Sequence, residues 1–93
     1  MYYYKMLVSE ARSILLGNVL TYSYKKGNNG RYFRVEEVKK KGNKFIVSGL
    51  GDGRKEEITL TAANIIQLDE HRVSEYEFNY EDGEQYYRKY VLC

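Results

Sequence analysis

Hydrophobic and polar positions follow two different periods along this 93-residue chain. In the first stretch, Leu7, Ala11, Ile14 and Leu15 recur at helical spacing and would lie down on a core. Ser9 can cap such a helix through its side-chain oxygen, and Gly17-Asn18 supplies a left-handed stop. One helix is therefore predicted over residues 9–17.

From Val19 the period becomes two. Leu20, Tyr22 and Tyr24 alternate with Thr21, Ser23 and Lys25, the pattern of a half-buried strand. Lys26-Gly27-Asn28-Asn29-Gly30 is a turn, rich in residues that tolerate positive φ. Arg31–Val38 resumes as a strand, Lys41-Gly42-Asn43 turns, and Phe45-Ile46-Val47 is a short apolar strand ending at Gly49. After Gly51-Asp52-Gly53 comes Glu57-Ile58-Thr59-Leu60, then one helical turn over Thr61–Asn64 and a last short strand, Ile65–Leu68. Five short strands joined by tight turns predict a small closed barrel over residues 19–68, since closure removes sheet edges that would otherwise aggregate. An SH3-like or Sm-like barrel fits this order better than an OB-fold, which places a longer helix between its third and fourth strands.

Beyond Asp69-Glu70-His71-Arg72 the period of two returns in Val73–Tyr80 and Glu84–Leu92, around Asp82-Gly83. Asp-Gly between alternating runs is among the strongest short-range hairpin signals. A two-residue loop places Phe78 opposite Tyr87, Tyr76 opposite Lys89, Glu77 opposite Arg88 and Glu75 opposite Tyr90. One face then carries Tyr76, Phe78, Tyr80 and Tyr87, an aromatic surface that must pack on the barrel or on a partner, because an isolated hairpin is marginal in water. The predicted fold is thus mostly β: a single domain spanning 1–93, with an N-terminal helix, a five-stranded barrel and a C-terminal hairpin over 73–92.

Composition narrows the setting. Hydrophobic residues make up 43% of the chain and charged residues 30%, as in globular proteins. A chain of this size buries roughly 60–65% of its unfolded surface, enough for modest stability without staples. Eleven tyrosines suit a small barrel whose core lies close to solvent, and they also suit a contact surface. The lone Cys93 has no partner for a disulfide, which points to a reducing compartment. With no apolar run of membrane-spanning length and no signal-peptide pattern at Met1–Tyr4, the expectation is a cytoplasmic protein without a membrane partner.

The net charge of +2 hides a division. Residues 1–55 hold twelve Lys and Arg against four acids, net +8; residues 56–93 hold three against nine, net −6. Lys25, Lys26, Arg31 and Arg34 flank the first turn and Lys39, Lys40, Lys41 and Lys44 the second, with Tyr22, Tyr24, Tyr32 and Phe33 among them. Basic loops interleaved with aromatics offer charge to phosphates and rings to unstacked bases. Lysines that keep exposed strands soluble give the same pattern, and so does a chain that sets its basic end against a neighbour's acidic end.

Catalysis has little to stand on. His71 is the one histidine and has no cysteine near it in sequence, so zinc-ligand spacing is missing. No nucleophile-elbow motif accompanies any serine. Gly49-Leu50-Gly51-Asp52-Gly53 is glycine-rich but lacks the lysine and following helix of a phosphate loop, and a hairpin turn explains it. No catalytic residue, metal site or cofactor is assigned.

The stretch Ile14–Leu68 resembles the WYL domain, a small bacterial and phage-associated barrel with an SH3- or Sm-like core. The likeness lies in a short helix, then Leu20-Thr21-Tyr22, an arginine-bearing strand Arg31-Tyr32-Phe33-Arg34-Val35, Lys44-Phe45-Ile46-Val47 at the place of the name-giving Trp-Tyr-Leu, and Ile58-Thr59-Leu60 with Asn64-Ile65 as the closing segment. Lys44, Phe45 and Ile46 replace the signature residues, and the helix-turn-helix module that accompanies such domains in transcription regulators does not appear in this sequence. The resemblance implies a regulatory or adaptor module with an anionic ligand, a nucleic acid or nucleotide, held by Tyr22, Arg31 and Arg34 with Lys40, Lys41 and Lys44. The alternative is a protein–protein module, a host-directed inhibitor or complex subunit, that meets a partner or a second copy through Tyr76, Phe78, Tyr80 and Tyr87.

Overall fold

A computed structural model describes residues 5–27, 30–79 and 85–93. The elements run α1 (Val8–Leu15), β1 (Val19–Ser23), β2 (Arg31–Lys41), β3 (Lys44–Gly51), β4 (Arg54–Thr61), α2 (Ala62–His71), β5 (Val73–Asn79) and β6 (Gln85–Leu92). The protein is mostly β, but its sheet is not a closed five-stranded barrel. All six strands form one open antiparallel sheet in the order β4-β3-β2-β1-β6-β5. The C-terminal hairpin belongs to that sheet, because β6 pairs with β1 through Leu20↔Leu92 and Tyr22↔Tyr90.

Alternation builds the core. Leu20 of β1, Phe33 and Val35 of β2, Phe45 and Val47 of β3, and Ile58 and Leu60 of β4 are all buried in one cluster with residues of both helices. The long β2 strand holds its phase through a bulge between Val35 and Glu37, which returns Val38 to the core side. β3 runs so close to β2 that a Cβ on Gly49 would stand 1.7 Å from the Arg34 carbonyl oxygen, and one on Gly51 1.9 Å from that of Tyr32. These two positions admit glycine alone.

Both helices differ from the sequence expectation. α1 begins at Val8 with Leu7 as its N-cap, and the Leu7 amide donates to Oε1 of Glu10 at 3.3 Å. Ser9 lies inside the helix, its carbonyl accepting from the Ser13 hydroxyl at 3.0 Å. Leu7 is exposed and Met6 is buried in its place. Gly17 does take the left-handed conformation, at φ 81°.

The stretch Ile65–Leu68, expected as the last barrel strand, is helical and belongs to α2. Thr61 caps that helix: its hydroxyl accepts from the Asn64 amide at 3.1 Å, and Asn64 Oδ1 accepts from the Thr61 amide at 3.0 Å. Ile65 and Leu68 are both fully buried three residues apart, so helical spacing serves the core where a strand would turn one of them out. Asn64 Nδ2 also donates to the buried Ser74 hydroxyl at 3.0 Å, which fixes α2 to β5. Arg72, at φ 63°, ends the helix.

The hairpin register is shifted by one residue. Tyr76 pairs with Arg88, Glu77 with Tyr87 and Glu75 with Lys89, while Phe78 pairs with Tyr86. Because side chains alternate, the shift moves Tyr87 off the Tyr76 face and Arg88 onto it. Tyr80 and the Asp82-Gly83 turn lie outside the described residues, as do the side chain of Phe78, the Tyr2–Tyr4 run and Asn28-Asn29. Among the described residues, no helix is long and apolar enough to cross a membrane.

Candidate ligand-binding groove

The chemistry concentrates where β1, β2 and the β3–β4 turn meet. Tyr22 and Arg31 face each other across the β1–β2 pair. Opposite them, Glu56 of β4 pairs in register with Gly49, where β3 lies tight against β2. The Tyr22 hydroxyl donates to Oε2 of Glu56, and Nη1 of Arg31 stands 3.5 Å from Oε1 of the same carboxylate. Glu56 has a side chain only 11% exposed, whereas that of Arg31 is 64% exposed. Burial, then the hydrogen bond and charge of Glu56, push the Tyr22 hydroxyl up to about 12 from its ordinary 10. At neutral pH it is therefore a firm donor that orients Glu56, which in turn orients Arg31.

Arg31 stands between two cavities. One, of about 330 Å³, is lined by Arg31, Tyr32, Asp52, Arg54 and Glu56 over Gly30 and Gly51. The other, of about 210 Å³, is lined by Tyr22, Tyr24 and Lys25 and shares Gly30 and Arg31 with the first. Together they present three cations, Lys25, Arg31 and Arg54, beside the half-exposed rings of Tyr24 and Tyr32. Tyr24 packs at 5.4 Å from the Tyr22 ring, which in turn meets Phe33 edge-on at 6.1 Å. Arg54 sits here because Asp52 and Gly53, at φ 55° and 75°, form a two-residue turn that sets Arg54 opposite Gly51.

The other basic residues singled out in the sequence do not converge on this groove. Arg34 lies three positions from Arg31, hence on the other face of β2, and its Nη1 donates to the Gly17 carbonyl at 3.0 Å. Lys40 donates to the Met6 carbonyl at 2.9 Å and stands 5.8 Å from the Phe45 ring centre, holding the chain before α1. Lys41 and Lys44 face each other at the β2–β3 turn, and Lys44 reaches a different cavity.

The aromatic hairpin surface is likewise divided. Tyr76 is half-buried against the core, whereas Tyr87 pairs with Glu77 on the opposite face and donates to Oε2 of Glu75 at 2.9 Å. Among the described residues, no group of three or more His, Cys, Asp or Glu side chains is placed to hold a metal ion.

Glu56 and Arg54 were missed as site residues. Their signal was present in the spacing: a two-residue Asp52-Gly53 loop sets Arg54 opposite Gly51 and Glu56 opposite Gly49, two positions without side chains. No family model, no curated protein and no solved structure matches the chain.

Proposed function

We propose that this chain is a non-catalytic regulatory or adaptor module that holds an anionic ligand bearing an aromatic base, a nucleotide or a short single-stranded nucleic-acid segment, in the groove centred on Arg31. The observation that carries the reading is the pair of adjoining cavities in which Lys25, Arg31 and Arg54 stand beside the exposed rings of Tyr24 and Tyr32. Cations neutralise phosphate and exposed rings stack on bases, and the two together give affinity without strict sequence choice. The Glu56 carboxylate supports this geometry by holding Arg31 at the junction of the two cavities. The likeness of Leu20-Thr21-Tyr22 and the arginine-bearing second strand to the WYL domain points the same way for Tyr22 and Arg31, with Arg54 taking the part expected of Arg34.

The test is a fluorescence-anisotropy titration with single-stranded DNA and RNA at low and physiological salt. Binding should weaken as salt rises, with a log–log slope of about −2 if three phosphates are met. Arg31→Ala and Arg54→Ala should each weaken it about tenfold, while Arg34→Ala, on the far face, leaves it unchanged. Absence of binding at low salt, where phosphate contacts are strongest, or equal losses for Arg34→Ala and Arg31→Ala, overturns the reading.

A further inference from the structure

The groove around Arg31 is not uniformly basic, and its two carboxylates stand in different states. Glu56 is engaged on both oxygens, Oε2 by the Tyr22 hydroxyl and Oε1 by Arg31 at 3.5 Å. Asp52 lines the same cavity of about 330 Å³ and is exposed. Among the described residues its side chain has one hydrogen-bond contact, the Tyr32 hydroxyl at 3.5 Å from Oδ1. Arg31 and Arg54 line the cavity with it, yet among the described residues Asp52 forms an ion pair with neither.

Turn geometry does not account for the charge on Asp52. It takes φ 55° and Gly53 φ 75°, the two positive values of a tight hairpin loop. Asn fills that first position as readily as Asp, without setting a negative charge beside cations that are to meet phosphate. A carboxylate there weakens the hold on every phosphate ligand, and it repays that cost only by accepting hydrogen bonds from the ligand.

A carboxylate is acceptor-only, and its two oxygens match a pair of parallel N–H donors. Among the common bases guanine alone presents such a pair on one edge, its N1–H and the amino group on C2. Adenine and cytosine offer one amino group beside an acceptor nitrogen, and uracil and thymine one N–H between two carbonyls. Each of those acceptors would face a carboxylate oxygen and be repelled.

We propose that the cavity takes a guanosine phosphate unit whose N1–H and C2 amino group donate to Asp52, with the base laid against the half-exposed Tyr32 ring. The inference rests on the reading of the groove given above and adds base choice to it, because Lys25, Arg31 and Arg54 meet phosphate whatever the base. A volume of about 330 Å³ lies at the lower end of the roughly 300–1,000 Å³ of small-ligand sites, which suits one nucleoside unit. Gly30 and Gly51 line it without side chains, so a planar base can lie close to the backbone.

Calorimetric titration of the full chain at low salt with guanosine, inosine and adenosine monophosphates tests this. Guanosine monophosphate should bind at least about tenfold more tightly than adenosine monophosphate, the lower part of the range for a bidentate base contact, since Asp52 is open to water. Inosine monophosphate keeps N1–H but lacks the amino group, and should fall between them. Asp52→Asn, which tolerates the positive φ, should abolish the preference by weakening guanosine monophosphate while adenosine monophosphate binds as well or better. Four-nucleotide RNAs with one guanine or none separate the two sources of the unit. Preference with the mononucleotide itself sustains the proposal for a free nucleotide; preference in the RNA alone sustains it for a strand. The proposal is overturned if no ligand pair shows a guanine preference, if inosine matches guanosine, or if Asp52→Asn tightens guanosine and adenosine monophosphates alike. Those outcomes leave the phosphate-binding groove standing. Absence of binding by every nucleotide and every RNA overturns both.

Discussion

The chain contains two Asp-Gly hairpins, and only one obeys its turn. In the β3–β4 hairpin, Asp52 and Gly53 both take positive φ, and the pairs Gly51↔Arg54 to Lys44↔Thr61 follow by counting outward. In the β5–β6 hairpin the same counting from Asp82-Gly83 fails by one residue, because Glu75 meets Lys89 rather than Tyr90. The difference lies in what fixes each strand from outside. β4 has one neighbour, so its turn and its own Ile58 and Leu60 decide its phase. β6 has two: pairing with β1 sets Leu92 against Leu20 and Tyr90 against Tyr22, which directs Tyr90 and Leu92 into the core. β5 must then bring the buried Ser74 opposite Tyr90, where Ser74 meets Asn64 of α2. Tertiary pairing prevails over the local loop preference, and the cross-strand pairs it yields, Glu75 with Lys89 among them, are as compatible as those it displaces.

The largest effect should come from β3, the first strand of the obedient hairpin, where it packs against β2. Gly49→Ala places a methyl group against the Arg34 carbonyl, and a backbone carbonyl in a paired strand cannot swing aside. The expected loss is at or above the upper end of the roughly 1–3 kcal/mol typical of overpacking, read as a fall in the urea midpoint. Gly42→Ala, where a Cβ meets nothing within 4 Å, should cost clearly less despite its φ of 64°. Similar losses at the two positions would mean that β3 does not approach β2 as closely as its backbone shows.

How much of this was legible in the sequence follows the same line. The strands β1 to β4 and their turns could be read because Leu20, Phe33, Phe45, Ile58 and Leu60 alternate and the turn residues favour positive φ. Ile65–Leu68 could not be read as helix from its apolar run alone, since a short apolar segment fits either a strand or a buried helix face. The Thr61–Asn64 capping pair was the available signal, and it extended the helix instead of ending it. Strand count alone points to a closed barrel, whereas the helix that stands in place of the fifth strand leaves the sheet open. Of the candidate binding residues, Tyr22 and Arg31 do converge. Arg34 fails on parity, and Lys40 is taken up by a backbone carbonyl that no sequence pattern marks.

The second prediction addresses the disobedient hairpin directly. With Cys93→Ser as background, Glu77→Cys combined with Tyr87→Cys should oxidise readily to a disulfide, because the two positions are directly opposed. Glu77→Cys with Arg88→Cys, the pair that the two-residue loop would oppose, should remain reduced under the same conditions, its side chains pointing to opposite faces. Ready oxidation of the second pair and not the first would restore the turn-dictated register and move Arg88 off the Tyr76 face.

The smallest effect concerns the link between the groove and the sheet. Tyr22 bridges β1 to β4 through Glu56, and its hydroxyl is held neutral up to about pH 12 against an ordinary 10. A raised folded-state value means that the folded protein keeps the proton that the unfolded chain releases. The stabilisation is therefore complete below pH 10 and is lost as pH rises from about 10 to about 12. Tyr90 is also raised, by burial first and by Tyr24 and Tyr76 next, so it adds to the same alkaline limb. Tyr22→Phe should cost about 1–2 kcal/mol at neutral pH, the range for a hydrogen bond to a charged acceptor, and should flatten that limb without abolishing it. Spectrophotometric titration should show one fewer late-ionising tyrosine in the variant. A limb unchanged by Tyr22→Phe would mean that Tyr22 does not keep its proton on Glu56 in the folded protein.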